Sequence, residues 1–309
     1  MSILIIGSAG YIGSMLAQEL RHCYPVTTLD DCWFGYDIVP NMQCDFSDLP
    51  EEFYSEFDVI ILLAGHSSVK MCEGPIIHAY NNNVSNFINL ISKLKQGQKL
   101  IYASSSSVYG NITKCIVDEM YSEFVPNNNY DITKHSIDLY APRFDIEYYG
   151  LRFGTVCGIS PVVRNDVMIN SMTYTALMEK QIRLYFKDTQ RPILGTADLS
   201  HAIKCIINTK KDLRGIYNVA SFNSTAAAIA QGVGIVTGVP IVECLTDPKN
   251  ITNAKMQTKC YDFSIDCSKF VNSFGFQPKE TTESITTGLV QNFNLIKFTS
   301  RDRFRRYEK

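Results

Sequence analysis

Tyr130 and Lys134 stand one helical turn apart in Tyr130-Asp131-Ile132-Thr133-Lys134, a spacing that puts a phenol and an ammonium on one helix face. A free phenol ionises near about pH 10, too high for a base at neutral pH. A neighbouring ammonium favours the phenolate, so such a pair could exchange a proton with a substrate hydroxyl. More hydroxyls cluster at Ser104-Ser105-Ser106-Ser107-Val108-Tyr109-Gly110, directly after the strand-like run Lys99 to Ala103. In open α/β sheets, ligand crevices lie where such strands end.

The third chemical feature is Gly7-Ser8-Ala9-Gly10-Tyr11-Ile12-Gly13, between an apolar strand (Ile3 to Ile6) and an amphipathic helical pattern (Tyr11 to Cys23). Glycines here let the backbone turn tightly and approach a pyrophosphate at the positive end of the helix. Asp30 follows at the end of the second strand candidate, where a carboxylate can accept from a ribose diol. Asp31 beside it, and no nearby Lys or Arg, would repel a 2′-phosphate, so NAD is expected rather than NADP. Asp45, after the third strand candidate, could contact the adenine edge or cap a turn before Phe46-Ser47.

These residues need elements to hold them. Strand candidates at Ile3 to Ile6, Val26 to Leu29, Met42 to Cys44, Val59 to Leu63, Leu100 to Ala103 and Glu147 to Phe153 alternate with helical patterns. That alternation predicts an α/β fold: a Rossmann-type, doubly wound parallel sheet, because parallel strands need helical crossovers. After Ile159 the rhythm loosens: a helix over Val167 to Glu179, strands at Ile182 to Phe186, Pro192 to Leu194 and Gly215 to Ala220, and a helix over Leu199 to Ile207. The expected organisation is a nucleotide-binding domain over 1–158, rejoined by about 191–220, with 159–190 and 221–309 mainly in a smaller substrate lobe. The asparagines at 81–83 and 127–129 read as loops.

Composition narrows the classes. The 309 residues are 45% hydrophobic and 19% charged with a net charge of -2, so nothing global attracts nucleic acid or an anionic membrane. The basic end Lys297 to Lys309 reads as a solvated tail or surface helix. Ten cysteines are dispersed without CxxC pairs or histidines at metal spacing, which points to a reducing compartment and no metal site. With no leader-like N-terminus and no apolar run of roughly 20 residues, a cytoplasmic protein is expected.

Taken together, GSAGYIG, Asp30, LLAGHSSV (62–69), NNVSNFINLI (82–91), SSSSVYG, YDITK, LRFGTVCG (151–158), RPILGTADLSHAI (191–203) and YNVAS (217–221) occur in the order and spacing of the extended short-chain dehydrogenase/reductases. The chain resembles their nucleotide-sugar epimerase/dehydratase branch over nearly its whole length. The resemblance implies that Gly7, Gly10 and Gly13 hold the NAD pyrophosphate, with Tyr11 and Ile12 in the same loop. It places Asp30 on the adenosine ribose and Leu63, Ala64 and Gly65 beside the cofactor. It makes Tyr130 the catalytic base, Lys134 the residue that binds the nicotinamide ribose and lowers the phenol's pKa, and Ser105 the catalytic hydroxyl. Ser106 and Thr155 fall among substrate-contacting positions, Arg191 matches an arginine on the substrate's phosphates, and Arg164 with Asp166 resembles a turn beside the bound sugar nucleotide. Asn83 matches a helix asparagine whose role is structural or catalytic.

Ser106 and Ser107 are informative through what they lack. The family's 4,6-dehydratases carry an Asp and a Glu at these positions, and GDP-fucose synthase a cysteine acid at that of Ser107. A serine cannot replace the acid that protonates a leaving hydroxyl, so both activities are disfavoured. The expected reaction is oxidoreduction at C4 of a nucleotide sugar, foremost a 4-epimerisation through a transient keto sugar. A 4-dehydrogenase or 4-reductase is the alternative, since segment 154–174 also resembles bacterial GDP-heptose 4-dehydrogenases. A non-catalytic NAD(P)-binding regulator is a third reading, disfavoured by the intact Ser105, Tyr130 and Lys134. Helices around 86–94 and 130–140 match those that form a four-helix bundle in the family's homodimers.

Overall fold

The computed structural model describes residues 1–33, 38–110, 112–244 and 261–299. Most of the basic C-terminal segment, from residue 300 on, lies outside them. β1 (Ile3–Ile6) is followed by α1 (Tyr11–Arg21), β2 (Val26–Asp30), β3 (Met42–Gln43), α2 (Glu51–Tyr54) and β4 (Val59–Leu62). Then come α3 (Ile76–Tyr80), α4 (Asn86–Ser92), β5 (Lys99–Ser105), β6 (Thr113–Val117), α5 (Asn129–Tyr140) and β7 (Glu147–Phe153). The second half runs β8 (Thr155–Cys157), β9 (Val162–Arg164), α6 (Met168–Glu179), β10 (Ile182–Leu184), β11 (Gln190–Gly195), α7 (Thr196–Asn208) and β12 (Gly215–Val219). It ends with β13 (Phe222–Thr225), α8 (Ala226–Thr237), β14 (Ile241–Glu243), β15 (Asp262–Ile265), α9 (Ser268–Phe274), α10 (Thr282–Gln291) and β16 (Lys297–Thr299).

Seven parallel strands form the main sheet in the order β3-β2-β1-β4-β5-β7-β12. β1 and β4 are buried at every position, which explains their unbroken apolar sequences: both faces of this sheet are covered. On one side α1 presents Met15, Leu16 and Leu20 to a core shared with α7, and on the other Phe87, Leu90 and Ile91 of α4 pack with Leu4, Ile60 and Leu100. The strand order reverses direction between β1 and β4, and Ile6 pairs with Leu62 in register. The loops leaving both strands therefore open at one crevice, the usual ligand position of such sheets.

The lobe beyond is built across long sequence distances. β15 pairs in parallel with β6, β16 with β9, and β11 lies between β8 and β13. Of the later segment expected to rejoin the main sheet, β12 does so, while β11 belongs to the lobe's own three-stranded sheet. Asn81 to Ser85 is a helical π-turn joining α3 and α4, not a loop. Its polar run is explained by Asn83, which is buried and bonds the His66 backbone in both directions and Thr133 Oγ1 at 3.0 Å. The strand expected to reach Phe186 stops at Leu184, and Phe186 adopts φ 49° with its ring half exposed. No helix among the described residues is long and apolar enough to cross a membrane.

Candidate functional site

The crevice is one cleft of about 330 Å³, and all the site residues expected from the sequence line it. At one end stands the β1 to α1 turn. Gly7 has φ 90°, and a Cβ there would lie 2.4 Å from Ala64 N; a Cβ on Gly13 would lie 2.1 Å from Gly7 O. No side chain fits at either position. Gly10 is the N-cap of α1 and makes no side-chain cap, so the first N–H groups of the helix stay available to an anion. Asp30 accepts Ala9 N at 2.8 Å and Cys32 N at 2.7 Å, which fixes its carboxylate at the end of β2. Burial raises its pKa, and those two N–H donors oppose the rise. Arg21 is engaged with Thr28 and Asn41 at the back of β2 and does not neutralise Asp30. The donor set fits a dinucleotide with a free ribose diol.

Two residues of this end also have partners within the chain. The Tyr11 hydroxyl donates to Gly158 O at 2.9 Å and accepts Asn170 Nδ2 at 3.1 Å, so its phenol ties α1 to the lobe. Asp45 accepts Ser47 N and Ser47 Oγ, both at 2.8 Å, which caps the turn at the cleft's edge.

β5 and α5 deliver the reactive groups. Asn128 caps α5, accepting Asp131 N at 3.1 Å, and the helix then carries Tyr130 and Lys134 on its inward face. Ser105 ends β5 in an extended conformation and caps the following turn by accepting Ser107 N at 3.2 Å. Its hydroxyl and the Tyr130 phenol line the same cleft, and the serine favours the ionised phenol. The electrostatics of the chain alone depart from the expectation. Burial pushes the Tyr130 phenol up to about 12, against the lowering effects of Ser105 and Arg164. Burial also pushes Lys134 down to about 8, and its Nζ donates to Ala103 O at 2.8 Å, 5.9 Å from the phenol's ring centre. Lys134 by itself does not make Tyr130 a phenolate, because desolvation disfavours the charged form of both partners.

The far end carries Thr155, Arg164 and Arg191. Arg164 is held by both oxygens of Asp166, at 2.9 and 2.7 Å. Arg191 donates to Tyr261 O at 3.2 Å, its guanidinium lies 5.7 Å from that ring's centre, and its buried Nε has no partner. A part-buried guanidinium whose buried Nε lacks a partner suits an anionic ligand group. Carboxylates lining the cleft, among the described residues, are Asp30, Asp31 and Asp45, all at the adenosine end.

Reading the sequence missed Asp131, Tyr261 and the buried network behind Lys134. In that network Asp138 accepts Arg152 Nε at 2.9 Å, Ser104 Oγ at 3.0 Å and Tyr102 Oη at 3.2 Å, and Arg152 donates to Tyr109 Oη at 3.0 Å. Ser104 and Tyr109 thus hold α5 against the sheet. The signal for Asp138 was its position one turn beyond Lys134 on the same face; nothing local marked Tyr261.

The chain is similar to several known proteins. Protein CapI of Staphylococcus aureus is 30% identical over 213 residues, covering 60% of this chain and 62% of that protein. UDP-glucose 4-epimerase of Lactobacillus helveticus is 29% identical over 176 residues, 52% of this chain and 53% of that protein. The chain thus spans less than two thirds of either relative. The solved structure of MoeE5 in complex with UDP-glucuronic acid and NAD superposes with a TM-score of 0.80 at 18% identity, covering 95% of this chain and 99% of that one. The model of the NAD dependent epimerase/dehydratase family matches residues 3–220, and the chain belongs to that family.

Proposed function

We propose that the protein oxidises and re-reduces C4 of a nucleotide-linked sugar with NAD, interconverting C4 epimers. The observation that carries this reading is the meeting of Ser105, Tyr130 and Lys134 in the cleft that the glycine turn opens, with every lining carboxylate at the opposite end. The glycine turn and the α1 N-terminus would hold the pyrophosphate, Asp30 the adenosine ribose and Lys134 the nicotinamide ribose. NAD, when bound, supplies the acceptor and donor for the C4 hydrogen and a positive charge near the phenol. Tyr130 takes the proton of the C4 hydroxyl and returns it, and Ser105 hydrogen-bonds the same oxygen. Lys134 adds positive charge that favours the phenolate. Arg191 offers its unpartnered Nε to the substrate's diphosphate. An elimination needs an acid at the sugar, and the positions of Ser106 and Ser107 supply none.

Incubating the protein with UDP-, GDP-, dTDP- and CDP-sugars, followed by NADH absorbance and sugar NMR, tests the reading. An epimer mixture without net NADH is expected. Accumulating NADH with a 4-keto sugar identifies the 4-dehydrogenase alternative that segment 154–174 suggests. A 4-keto-6-deoxy product would overturn the exclusion of dehydration. Bound dinucleotide without turnover of any sugar, together with no effect of Tyr130→Phe on function, would indicate a regulator.

The same reading includes a homodimer. Of the two helices expected in the bundle, α5 leaves Ile132 and Leu139 43% and 63% in solvent, while α4 buries Phe87, Leu90 and Ile91 in the chain's own core and α3 before it leaves Ile76 and Ile77 46% and 54% exposed. An apolar face of this kind suits pairing with a second copy. Sedimentation at micromolar concentration should give twice the chain mass; a monomer there contradicts the pairing.

A further inference from the structure

Tyr261, the residue before β15, lines the cleft and has no part in the mechanism above. Its hydroxyl donates to the Asp131 carboxylate, 2.8 and 2.9 Å from the two oxygens, and accepts Asn128 Nδ2 at 2.8 Å. The start of α5 sets the direction of these bonds: Asn128 Oδ1 caps the helix by accepting Asp131 N, which turns its Nδ2 toward Tyr261 and Asp131. Asp131 has no exposed surface and also accepts Asn127 N at 3.0 Å, so it stands as an acceptor. Burial raises the Tyr261 phenol, which therefore keeps the proton it donates. Asn127, Asn128 and Asp131 flank Tyr130 in sequence, so this cluster holds the turn of α5 that carries the reactive phenol.

The same residue holds Arg191. Tyr261 O accepts Arg191 Nη1 at 3.2 Å, and the guanidinium carbon lies 5.7 Å from the centre of the Tyr261 ring, within the range at which a cation is attracted to an aromatic face. At the neighbouring residue of each strand, Gln190 N donates to Asp262 Oδ1 at 2.7 Å, so β11 and the start of β15 are joined at two adjacent points. These contacts hold the guanidinium and leave its buried Nε without a partner in the chain. Arg191 and Tyr130 both line the cleft.

We propose that Tyr261 is a positioning residue that fixes the span between the Arg191 guanidinium and the Tyr130 phenol, and so matches the cleft to a sugar linked to a nucleoside diphosphate. A substrate of that class has to seat its diphosphate on the arginine and its C4 hydroxyl at the phenol at the same time. An error of about 1 Å in such a span can cost about 10²-fold in rate. The two parts of the side chain have separable effects. The hydroxyl holds the first turn of α5 and acts on the rate through Tyr130, whereas the ring holds the guanidinium and acts on affinity through Arg191. The inference rests on the function proposed above, which gives Arg191 the diphosphate and Tyr130 the proton.

The test uses the full chain with NAD, and reads UDP and GDP binding by calorimetry beside steady-state kinetics with a turned-over nucleotide sugar. Tyr261→Phe keeps the ring and the carbonyl and loses the hydroxyl, so kcat should fall about 10–10²-fold with KM and nucleoside diphosphate affinity unchanged. Tyr261→Leu also loses the ring beside Arg191 and should weaken the nucleoside diphosphate about fivefold. In Arg191→Ala, adding Tyr261→Leu should weaken it no further, and in Tyr130→Phe, adding Tyr261→Phe should lower kcat no further. Additive losses in either pair overturn the positioning role, because Tyr261 would then act on the substrate directly. A Tyr261→Phe variant whose kcat stays within about threefold of the unsubstituted chain overturns the hold on α5. Loss of denaturant stability with kcat and KM both impaired in Tyr261→Phe also overturns the role, as a general loss of packing. If the unsubstituted chain binds neither UDP nor GDP and turns over no sugar, the proposed function fails and the span with it. Normal binding and turnover, indifferent to both Tyr261 variants, counts against Tyr261 alone.

Discussion

Tyr130→Phe should lower kcat by about 10²–10⁴-fold, the range for removing a positioned acid–base group, while the protein still binds NAD. The phenol is the group in the cleft placed to accept a proton from the sugar, whereas the glycine turn and Asp30, which would hold the dinucleotide, lie at the other end. Removing one oxygen leaves the ring in place and the Ser105–Ser107 pair intact at 2.9 Å, so folding should be little affected. Ser105→Ala should cost less, because the base remains. Steady-state kinetics with a turned-over sugar, beside calorimetric NAD binding, separates the two effects. A kcat in Tyr130→Phe within about threefold of the unsubstituted protein would sink the assignment, since it lies far below the usual acid–base contribution.

Asp138→Leu should have the largest effect on stability, about 3–5 kcal/mol from denaturant unfolding, as for breaking a buried ion pair by removing one partner. Asp138 and Arg152 are 2% and 5% exposed, and their contact is 2.9 Å. Losing the carboxylate leaves the guanidinium buried with the Tyr109 hydroxyl and two aromatic faces, Tyr109 at 5.0 Å and Phe124 at 5.3 Å. It also removes a charge that helps Lys134 keep its proton against burial. Ser104→Ala removes one hydrogen bond to the same carboxylate and should cost about 1.5–3 kcal/mol at most. A loss below about 1 kcal/mol in Asp138→Leu, no more than an exposed pair contributes, would mean that the network does not anchor α5.

Much of this architecture can be read from local patterns. Ile3 to Ile6 and Val59 to Leu62 are apolar because each strand is covered on both faces, and a pattern argument finds them for that reason. The glycine turn is legible because its physical constraints are local: the positive φ of Gly7 and the contact of Gly13 with Gly7 O involve neighbours in sequence. The lobe is different. β6 finds β15 more than a hundred residues later, and four of the five residues of β6 are exposed, so it shows no clear alternation. Tyr261 reaches the catalytic helix only through that pairing. The Tyr130 pKa was also out of reach, since spacing reveals a neighbouring ammonium but not that burial would weaken it. The serine run shows both sides: its place at a strand end was visible, whereas only packing assigns Ser104 to Asp138 and Ser107 to Ser105.

The most direct test of the account uses a nucleotide sugar deuterated at C4, with NAD present and the product followed by NMR. Oxidation and re-reduction at C4 predicts a C4 epimer that keeps the deuterium at C4, with no hydrogen there from solvent. An epimer carrying solvent hydrogen at C4, or a product altered at another carbon with C4 untouched, would contradict it.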